Sequence, residues 1–226
     1  MKSILKDCTG VILAGGENKR MPVSKAFIKI GGETIIEKNL KIIKQMFSEV
    51  FIVTNQPELY SYLNTSPLGD VYDIRCPMTG IFTSLVNSSH RWVFISACDM
   101  PFINKELIKY MASKRDNYDA VLPKSSLPPF NKGRYDPSGS IRTEIPRGQR
   151  GDFAEPLFAF YSKHLMISME RALFTDKKGM KDFLMDKRVK YIRTEEIKKS
   201  DVKAMSFINL NTPEDIQFYL HTRIKG

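Results

Sequence analysis

Short apolar runs alternate with amphipathic segments along most of this 226-residue chain, and this alternation constrains its fold more than any other feature. The runs at residues 9–14 and 91–97 end at glycine or turn-forming residues, which is typical of strands buried on both faces. Residues 33–47 instead carry apolar side chains at helical spacing, with Lys and Glu between them. The pattern predicts an α/β fold, a three-layer sandwich around a mostly parallel central sheet.

The remaining predicted elements follow in regular order, and no repeat or second core interrupts them. We therefore expect a single domain over residues 1–226. Strands are predicted at residues 9–14, 50–54, 70–73, 91–97, 119–123, 189–193 and 205–208, with regular structure also at 156–161. Helices are predicted at residues 33–47, directly after Gly80, at 105–114 behind an Asn104 N-cap, at 163–173, at 179–186 and after Pro213.

The composition excludes several classes of protein. With 42% apolar and 27% charged residues, the chain is globular rather than disordered, collagenous or a coiled coil. No apolar run approaches the roughly 18 residues that cross a bilayer, and charged residues stand at positions 1–7 where a signal peptide is apolar. Three cysteines and three histidines show neither a disulfide framework nor a zinc-ligand pattern. We expect a cytoplasmic protein that does not bind membranes.

The charge balance favours an anionic partner, since 35 basic residues against 25 acidic ones leave a net charge of +10. Part of the excess lies in residues 124–151, which hold eight glycines or prolines in 28 positions. This stretch is too long for an ordinary connection, so we predict a basic insertion loop within the domain. It is either a solvated loop or one that binds a phosphorylated molecule. Nucleic acid is disfavoured, because only Phe130 and Tyr135 are aromatic there and no nucleic-acid motif appears.

The first polar cluster follows the strand at 9–14, where residues 13–16 read Leu-Ala-Gly-Gly. Two glycines allow the backbone to turn tightly and to point amide groups at a phosphate. Arg20 and Lys25 come next and would neutralise phosphate oxygens. The segment is neither a Walker loop nor a G-x-G-x-x-G motif. A phosphate-binding loop and a plain strand-to-helix turn both remain open.

Two carboxylates also follow predicted strands. Asp99 comes directly after the apolar run at 91–97, where a carboxylate can hold Mg²⁺ together with phosphate oxygens and water. Its alternative role is to cap a helix or form a turn. Asp73 closes the predicted strand at 70–73 and would accept hydrogen bonds from a sugar hydroxyl or begin a turn. In open α/β sheets ligands bind beyond the carboxyl ends of the strands, where all three clusters are expected.

Taken together, the clusters resemble the molybdenum cofactor guanylyltransferase family, over nearly the whole chain except residues 124–151. The resemblance implies a Rossmann-like nucleotidyltransferase fold and the transfer of GMP from GTP to the phosphate of molybdopterin, with Mg²⁺ and release of pyrophosphate. The matching motifs, in chain order, are Leu13-Ala-Gly-Gly, Arg20-Met21, Lys25, Pro77-x-x-Gly80-Ile81, Cys98-Asp-Met-Pro-Phe102, Glu155-Pro-Leu-Phe-Ala-Phe160 and Phe207-Ile-Asn-Leu-Asn-Thr-Pro-Glu-Asp215.

The resemblance also implies roles for individual residues. The catalytic residues would be Lys25, Arg20 and Asp99, and Asp99 would hold the metal. Asn209 and Asn211 would complete the metal or substrate shell, unless they only form a capping turn before Pro213. The nucleotide would be bound by Leu13, Ala14, Gly15, Gly16, Lys25, Asn55, Asp73 and Asp99.

Some positions depart from the family pattern and leave alternatives open. Val53 stands where the family has an Asn, so Asn55 is the candidate two residues on, and Pro22 replaces a Gly in the loop. The chain could therefore use CTP or another NTP on a molybdopterin, sugar-phosphate or polyol-phosphate acceptor. An adaptor without activity is disfavoured by the presence of Lys25, Asp73 and Asp99. The insertion at 124–151 would cover the acceptor's phosphate or contact a molybdenum-cofactor delivery or acceptor protein.

Overall fold

The computed structural model describes residues 5–15, 25–125, 153–175, 179–202 and 204–207. Its strands are β1 (Leu5–Leu13), β2 (Lys29–Ile30), β3 (Glu33–Thr34), β4 (Phe47–Val53), β5 (Ser66–Leu68), β6 (Trp92–Ala97), β7 (Ala120–Ser125), β8 (Phe153–Ala154), β9 (Phe158–Ser162) and β10 (Val189–Arg193). Its α-helices are α1 (Ile35–Met46), α2 (Pro77–Asn87), α3 (Lys105–Ala112), α4 (Met166–Leu173), α5 (Met180–Leu184) and α6 (Thr194–Lys198). Short 3-10 helices cover Lys25–Phe27, Pro57–Leu63, Lys163–Leu165 and Met205–Phe207.

One large sheet organises these elements, with strand order β10-β7-β9-β6-β1-β4-β5 and with β8 paired to β7. β1 lies at its centre and runs parallel to both β4 and β6. β5 continues the parallel set beside β4, and β10 runs parallel to β7. β9 is antiparallel to β6 and β7, its two neighbours. The mostly parallel α/β architecture expected from the sequence is therefore confirmed.

The two faces of the sheet are both buried, which makes the fold three-layered. Along β1, Ile12 faces one apolar cluster while Val11 and Leu13 face the other. Residues of α1 and α3 complete the first cluster, and residues of α2, α4 and α5 complete the second. This explains why residues 10–13 of β1 and residues 92–95 of β6 form continuous apolar runs rather than alternating. None of the helices in the described ranges is long and apolar enough to cross a membrane.

The predicted strand at residues 70–73 is wrong, because the strand next to β4 is β5 at Ser66–Leu68. Residues 71–73 form bends instead, despite the β-forming side chains of Val71 and Tyr72. β5 was not predicted from the sequence because it is short and contains Pro67, which has no backbone N–H to donate a hydrogen bond. Proline is tolerated in strands mainly at sheet edges, and β5 is an edge strand.

The predicted strand at 205–208 is also wrong over its described part, since Met205–Phe207 is a 3-10 helix. The Asp201 carboxylate accepts hydrogen bonds from the backbone N–H groups of Met205 and Ser206 at 2.9 and 2.8 Å. Ala204 has a positive φ of 48°, which reverses the chain just before this turn. A local side-chain interaction thus competes with strand formation here.

The boundaries of two other elements differ from the prediction. α2 begins at Pro77, ahead of the predicted start at Gly80, and proline at the first helical position favours that start. β2 and β3 form a short hairpin in front of α1, joined by Gly31 and Gly32 at φ values of 67° and 91°. The insertion beyond residue 125 and the helix expected after Pro213 lie outside the described residues.

Candidate active site

The carboxyl ends of four parallel strands are joined by hydrogen bonds into one continuous edge. The Cys98 N–H donates to the Leu13 carbonyl at 3.0 Å and links β6 to β1. The Ala14 N–H donates to Val53 at 2.8 Å and links β1 to β4. The Thr54 N–H donates to Leu68 at 2.9 Å, while its hydroxyl donates to the Ala14 carbonyl at 3.2 Å. The first residues beyond each strand therefore share one site.

The glycine segment at this edge leaves room for a ligand. Gly15 is exposed, and a Cβ added there would meet no atom of the described residues within 4 Å. Beside it, a Cβ added to Gly80 of α2 would lie 3.2 Å from the Leu13 side chain, so a small residue lets α2 approach β1 closely. Leu13 and Ala14 thus lie where the sequence predicted. Gly16 and Arg20 are outside the described residues.

Lys25 and Asp99 meet at the centre of the edge. The Lys25 Nζ lies 3.4 Å from the Asp99 Oδ2, and the two side chains are only 26% and 18% exposed. Burial raises the pKa of Asp99 above its ordinary value, while the Lys25 ammonium opposes that rise. Because each charge offsets the desolvation of the other, the pair keeps a cation and an anion together in the cleft.

Glu155 is a further carboxylate beside this pair, at the turn between β8 and β9. The Ala97 N–H donates to the Leu157 carbonyl at 2.9 Å and joins the end of β6 to this turn, and the Asp99 carboxylate is close enough to act electrostatically on Glu155. The Leu157 N–H donates to the Glu155 Oε1 at 3.2 Å. Burial raises the pKa of Glu155 to about 7, and the nearby negative charge of Asp99 adds to the effect. Glu155 lies beside Asp99 only because β9 packs antiparallel to β6. The sequence therefore showed Glu155 as part of a motif but did not indicate a role for it.

The Glu155→Gln variant tests this environment through the pH dependence of stability. The Glu155 carboxyl has a pKa of about 7 in the folded protein, against an ordinary value of 4.5. Between these two pH values it is protonated in the folded protein and ionised in the unfolded chain. The free energy of unfolding therefore falls as pH rises from about 4.5 to 7, by at most roughly 3 kcal/mol. Glu155→Gln removes this contribution, so its stability falls less than that of the wild type between pH 5 and 8.

Chemical denaturation at pH 5, 6, 7 and 8 measures the effect. Glu58→Gln makes the same change at an exposed position and is expected to follow the wild type at every pH. A Glu155→Gln curve that stays parallel to the wild-type curve would contradict the buried, proton-retaining carboxyl.

The carboxylate that follows β5 is Asp70 rather than Asp73. Asp70 comes two residues after the strand, is half-buried, and accepts a hydrogen bond from the Thr83 hydroxyl at 3.5 Å. Burial raises the pKa of Asp70. Asp73 and Asn55 are both exposed, so they lie on the surface near the cleft rather than in its wall. Sequence reasoning missed Asp70 because it assigned the strand four residues too late.

The donor set suits a hard cation. Mg²⁺ is usually held by one or two carboxylates, with phosphates and water completing its octahedron. Asp99 provides such a carboxylate at the strand edge, and its side chain is largely shielded from solvent. Over the described ranges no three His, Cys, Asp or Glu side chains come together, so the protein does not offer a complete cage of those ligands there. Asn209 and Asn211, the further predicted ligands, lie outside the described residues.

Comparisons with known proteins agree with this geometry. The family model of the MobA-like NTP transferase domain matches residues 10–191. The molybdenum cofactor guanylyltransferase of Desulfosudis oleivorans is 30% identical over 92% of this chain and 92% of its own length. The probable molybdenum cofactor guanylyltransferase of Natranaerobius thermophilus is 33% identical over 92% of this chain and 93% of its own.

A solved structure shows the same fold. It is the molybdopterin-guanine dinucleotide biosynthesis protein A of Archaeoglobus fulgidus, with a TM-score of 0.75 and 22% identity over 96% of this chain and 100% of that one. The strand order, the site at the carboxyl edge and the matched family model converge, and they confirm the resemblance seen in the motifs. The chain belongs to the MobA-like NTP transferase family, and it is a nucleotidyltransferase whose curated relatives are molybdenum cofactor guanylyltransferases.

Proposed function

We propose that this protein transfers GMP from GTP to the phosphate of molybdopterin, forming the guanine dinucleotide cofactor and releasing pyrophosphate. The observation that carries the proposal is the Lys25–Asp99 pair beside the open glycine segment, at the carboxyl edge of β1 and β6. The edge offers a cation for phosphates and a carboxylate for a metal, side by side. The names of the relatives, which are molybdenum cofactor guanylyltransferases, support the choice of nucleotide and acceptor.

The reaction is an in-line displacement at phosphorus. An oxygen of the acceptor's phosphate forms a bond to the α-phosphorus of GTP, and the bond to the bridging oxygen of the β-phosphate breaks. The electron pair leaves with pyrophosphate, so the overall charge is conserved. A phosphate monoester is already ionised at neutral pH, and the protein therefore needs no general base. Its contribution is to position both substrates and to neutralise charge.

Each charged residue of the edge then has a defined task. Lys25 exchanges its contact with Asp99 for the β- and γ-phosphates and stabilises the negative charge that leaves with pyrophosphate. Asp99, released from Lys25, would hold Mg²⁺, which would supply positive charge to the phosphate groups. Arg20 is proposed to assist Lys25 from the loop.

The nucleoside half of GTP fits beyond β1, β4 and β5. The backbone of Leu13 and Ala14 is proposed to line this part of the site, and the small Gly80 allows α2 to pack closely against Leu13. Asp70 is proposed to accept a hydrogen bond from a ribose hydroxyl, since it lies at the end of β5 and is half-buried. Asp73 and Asn55 are proposed to contribute at the exposed rim.

The acceptor half fits beyond β7 and β9, on the other side of Asp99. Lys124 lies near the end of β7, with its Nζ 5.2 Å from the centre of the Tyr191 ring. A cation held against an aromatic face is suited to bind the anionic acceptor. The insertion that begins here is proposed to cover the acceptor or to contact a protein that delivers or receives the molybdenum cofactor.

A thermal-shift panel of GTP, CTP, ATP and UTP, each with and without Mg²⁺, tests the proposal. A ligand at 100 times its Kd stabilises the folded state by about 2.7 kcal/mol, or roughly 5–11 °C for a chain of this size. We expect a shift of this order for GTP with Mg²⁺, and smaller shifts for GTP alone and for the other nucleotides. A response to CTP in place of GTP would contradict the guanine assignment, and no response to any nucleotide would contradict the proposed site.

A further inference from the structure

We propose that Asn39 is a positioning residue for Asp99: its buried amide fixes the turn that presents the carboxylate to the cleft. The inference rests on the proposed function in one respect, namely that Asp99 holds the metal. Asn39 belongs to α1 and is not itself a member of the Lys25–Asp99 pair. Asn39 acts on Asp99 through the backbone of the turn that follows β6.

The turn that carries Asp99 is a tight one and is held from several sides. The Met100 N–H closes it on the Ala97 carbonyl at 3.4 Å, so Cys98 and Asp99 are its two central residues. β9 holds its start, where the Ala97 N–H donates to Leu157 at 2.9 Å, and β1 holds its second residue through the Cys98 N–H. These bonds fix the beginning of the turn but not its end.

Asn39 holds the end of the turn. Its Nδ2 donates to the Met100 carbonyl at 3.1 Å, and both residues are fully buried. Pro101 follows and has no N–H of its own with which to anchor the chain. The Asn39 amide is thus placed one residue after Asp99, where it opposes any outward movement of the carboxylate.

The buried Asn39 amide destabilises the folded state, so stability alone does not explain why an asparagine occupies this position. The Asn39 Oδ1 is buried and accepts no hydrogen bond in the described part of the chain, and an unsatisfied buried acceptor destabilises the folded state. The side chain occupies an otherwise apolar face of α1, among Ile35, Ile36, Leu40 and Ile43. Leucine would suit that face better, so the amide is retained for what its donor does. A misplacement of about 1 Å in a catalytic group can lower a rate 100-fold, which is the effect that Asn39 prevents.

The test compares the wild type with Asn39→Leu, which has a similar volume but no donor. Amide hydrogen exchange of the free protein is measured first, on the peptide that contains residues 97–100. We expect exchange there to rise about 10-fold, with the rest of α1 and β6 unchanged and the melting temperature equal or higher. The Mg²⁺ concentration that gives half of the GTP-dependent thermal shift is then expected to rise by roughly 10-fold or more. At saturating Mg²⁺, KM for GTP stays the same while kcat falls.

Asn87→Leu is the matched control. The Asn87 Nδ2 also donates to a backbone carbonyl, that of Thr83 at 2.8 Å, but near the end of α2 and away from the cleft. It is expected to leave both the exchange of residues 97–100 and the Mg²⁺ requirement unchanged. Asn39→Ala, which inserts no extra volume, serves if the leucine variant fails to fold. The same changes in exchange and in Mg²⁺ requirement are expected for it, with a lower melting temperature because the truncation leaves a cavity.

Two results would overturn the inference. One is wild-type exchange of residues 97–100 together with a wild-type Mg²⁺ requirement in the Asn39 variants. The other is a uniform loss of protection across the whole chain, which would make Asn39 a general structural residue. Hydrogen exchange is measured without nucleotide or metal, so its result does not depend on the proposed function. If the wild-type protein fails to respond to GTP, the proposed function is contradicted. The exchange result still decides whether Asn39 holds the turn.

Discussion

Replacing Asp99 by asparagine is expected to lower the rate of guanylyl transfer more than 100-fold while leaving the free protein at least as stable as the wild type. Residues that only support metal ligands are typically worth roughly 10- to 100-fold in affinity or activity, so a direct ligand is worth more. Burial raises the pKa of Asp99, which means that ionising it costs free energy in the folded state. Asparagine has the same shape and removes that cost. Asp99→Asn is therefore expected to lower the activity while leaving the stability of the free protein unchanged or higher.

The measurement pairs kcat at saturating GTP with the melting temperature of the free protein. Asp116→Asn makes the same chemical change at an exposed carboxylate outside the strand edge, and both quantities are expected to stay at wild-type values. If Asp99→Asn loses activity only in proportion to a loss of folded protein, Asp99 is structural and the metal assignment fails.

Replacing Lys25 by alanine is expected to lower kcat about 100- to 1,000-fold, the usual loss when one preorganised donor to a developing charge is removed. A second effect follows from its contact with Asp99 at 3.4 Å. The Lys25 ammonium lowers the pKa of Asp99, so its removal lets that pKa rise further. The acidic limb of the kcat/KM profile is then expected to move to higher pH. A carboxylate that must be ionised to act thus becomes inactive at a pH where the wild type still works.

Lys29→Ala is the appropriate control, because it removes the same charge four residues away at an exposed position of β2. Its kcat and its pH profile are expected to match those of the wild type. An equal loss in both variants would point to the overall positive charge, and a Lys25→Ala profile with an unshifted acidic limb would separate Lys25 from Asp99.

Most of the fold could be predicted from local patterns, because the central strands are buried on both faces. The carboxyl-terminal parts of β1 and β4 and most of β6 are apolar for that reason; the limits of β6 were predicted closely, whereas β1 and β4 begin four and three residues before their predicted starts. β5 was missed because an edge strand of three residues with a central proline carries no such pattern. The turn at residues 204–207 was mistaken for a strand, since the Asp201 carboxylate that organises it acts from outside the segment.

The residues of the candidate site also divide into those that local sequence patterns indicate and those that depend on tertiary contacts. Gly15, Lys25 and Asp99 could be found because each follows a recognisable strand or motif, and the structure brings Lys25 and Asp99 into contact. Asp70 could not be found while the strand before it was misplaced. Glu155 and Asn39 depend on tertiary structure: one on the antiparallel register of β9, the other on the packing of α1 against the turn after β6. A sequence pattern does not contain either contact.

The most direct test of guanylyl transfer is to incubate the purified wild-type protein with GTP, molybdopterin and Mg²⁺ and to measure pyrophosphate together with the nucleotide product. We expect pyrophosphate and the guanine dinucleotide of molybdopterin in equal amounts, and neither product when Mg²⁺ or molybdopterin is left out. Pyrophosphate formed without the dinucleotide, or dinucleotide formed from CTP in preference to GTP, would contradict the proposed reaction.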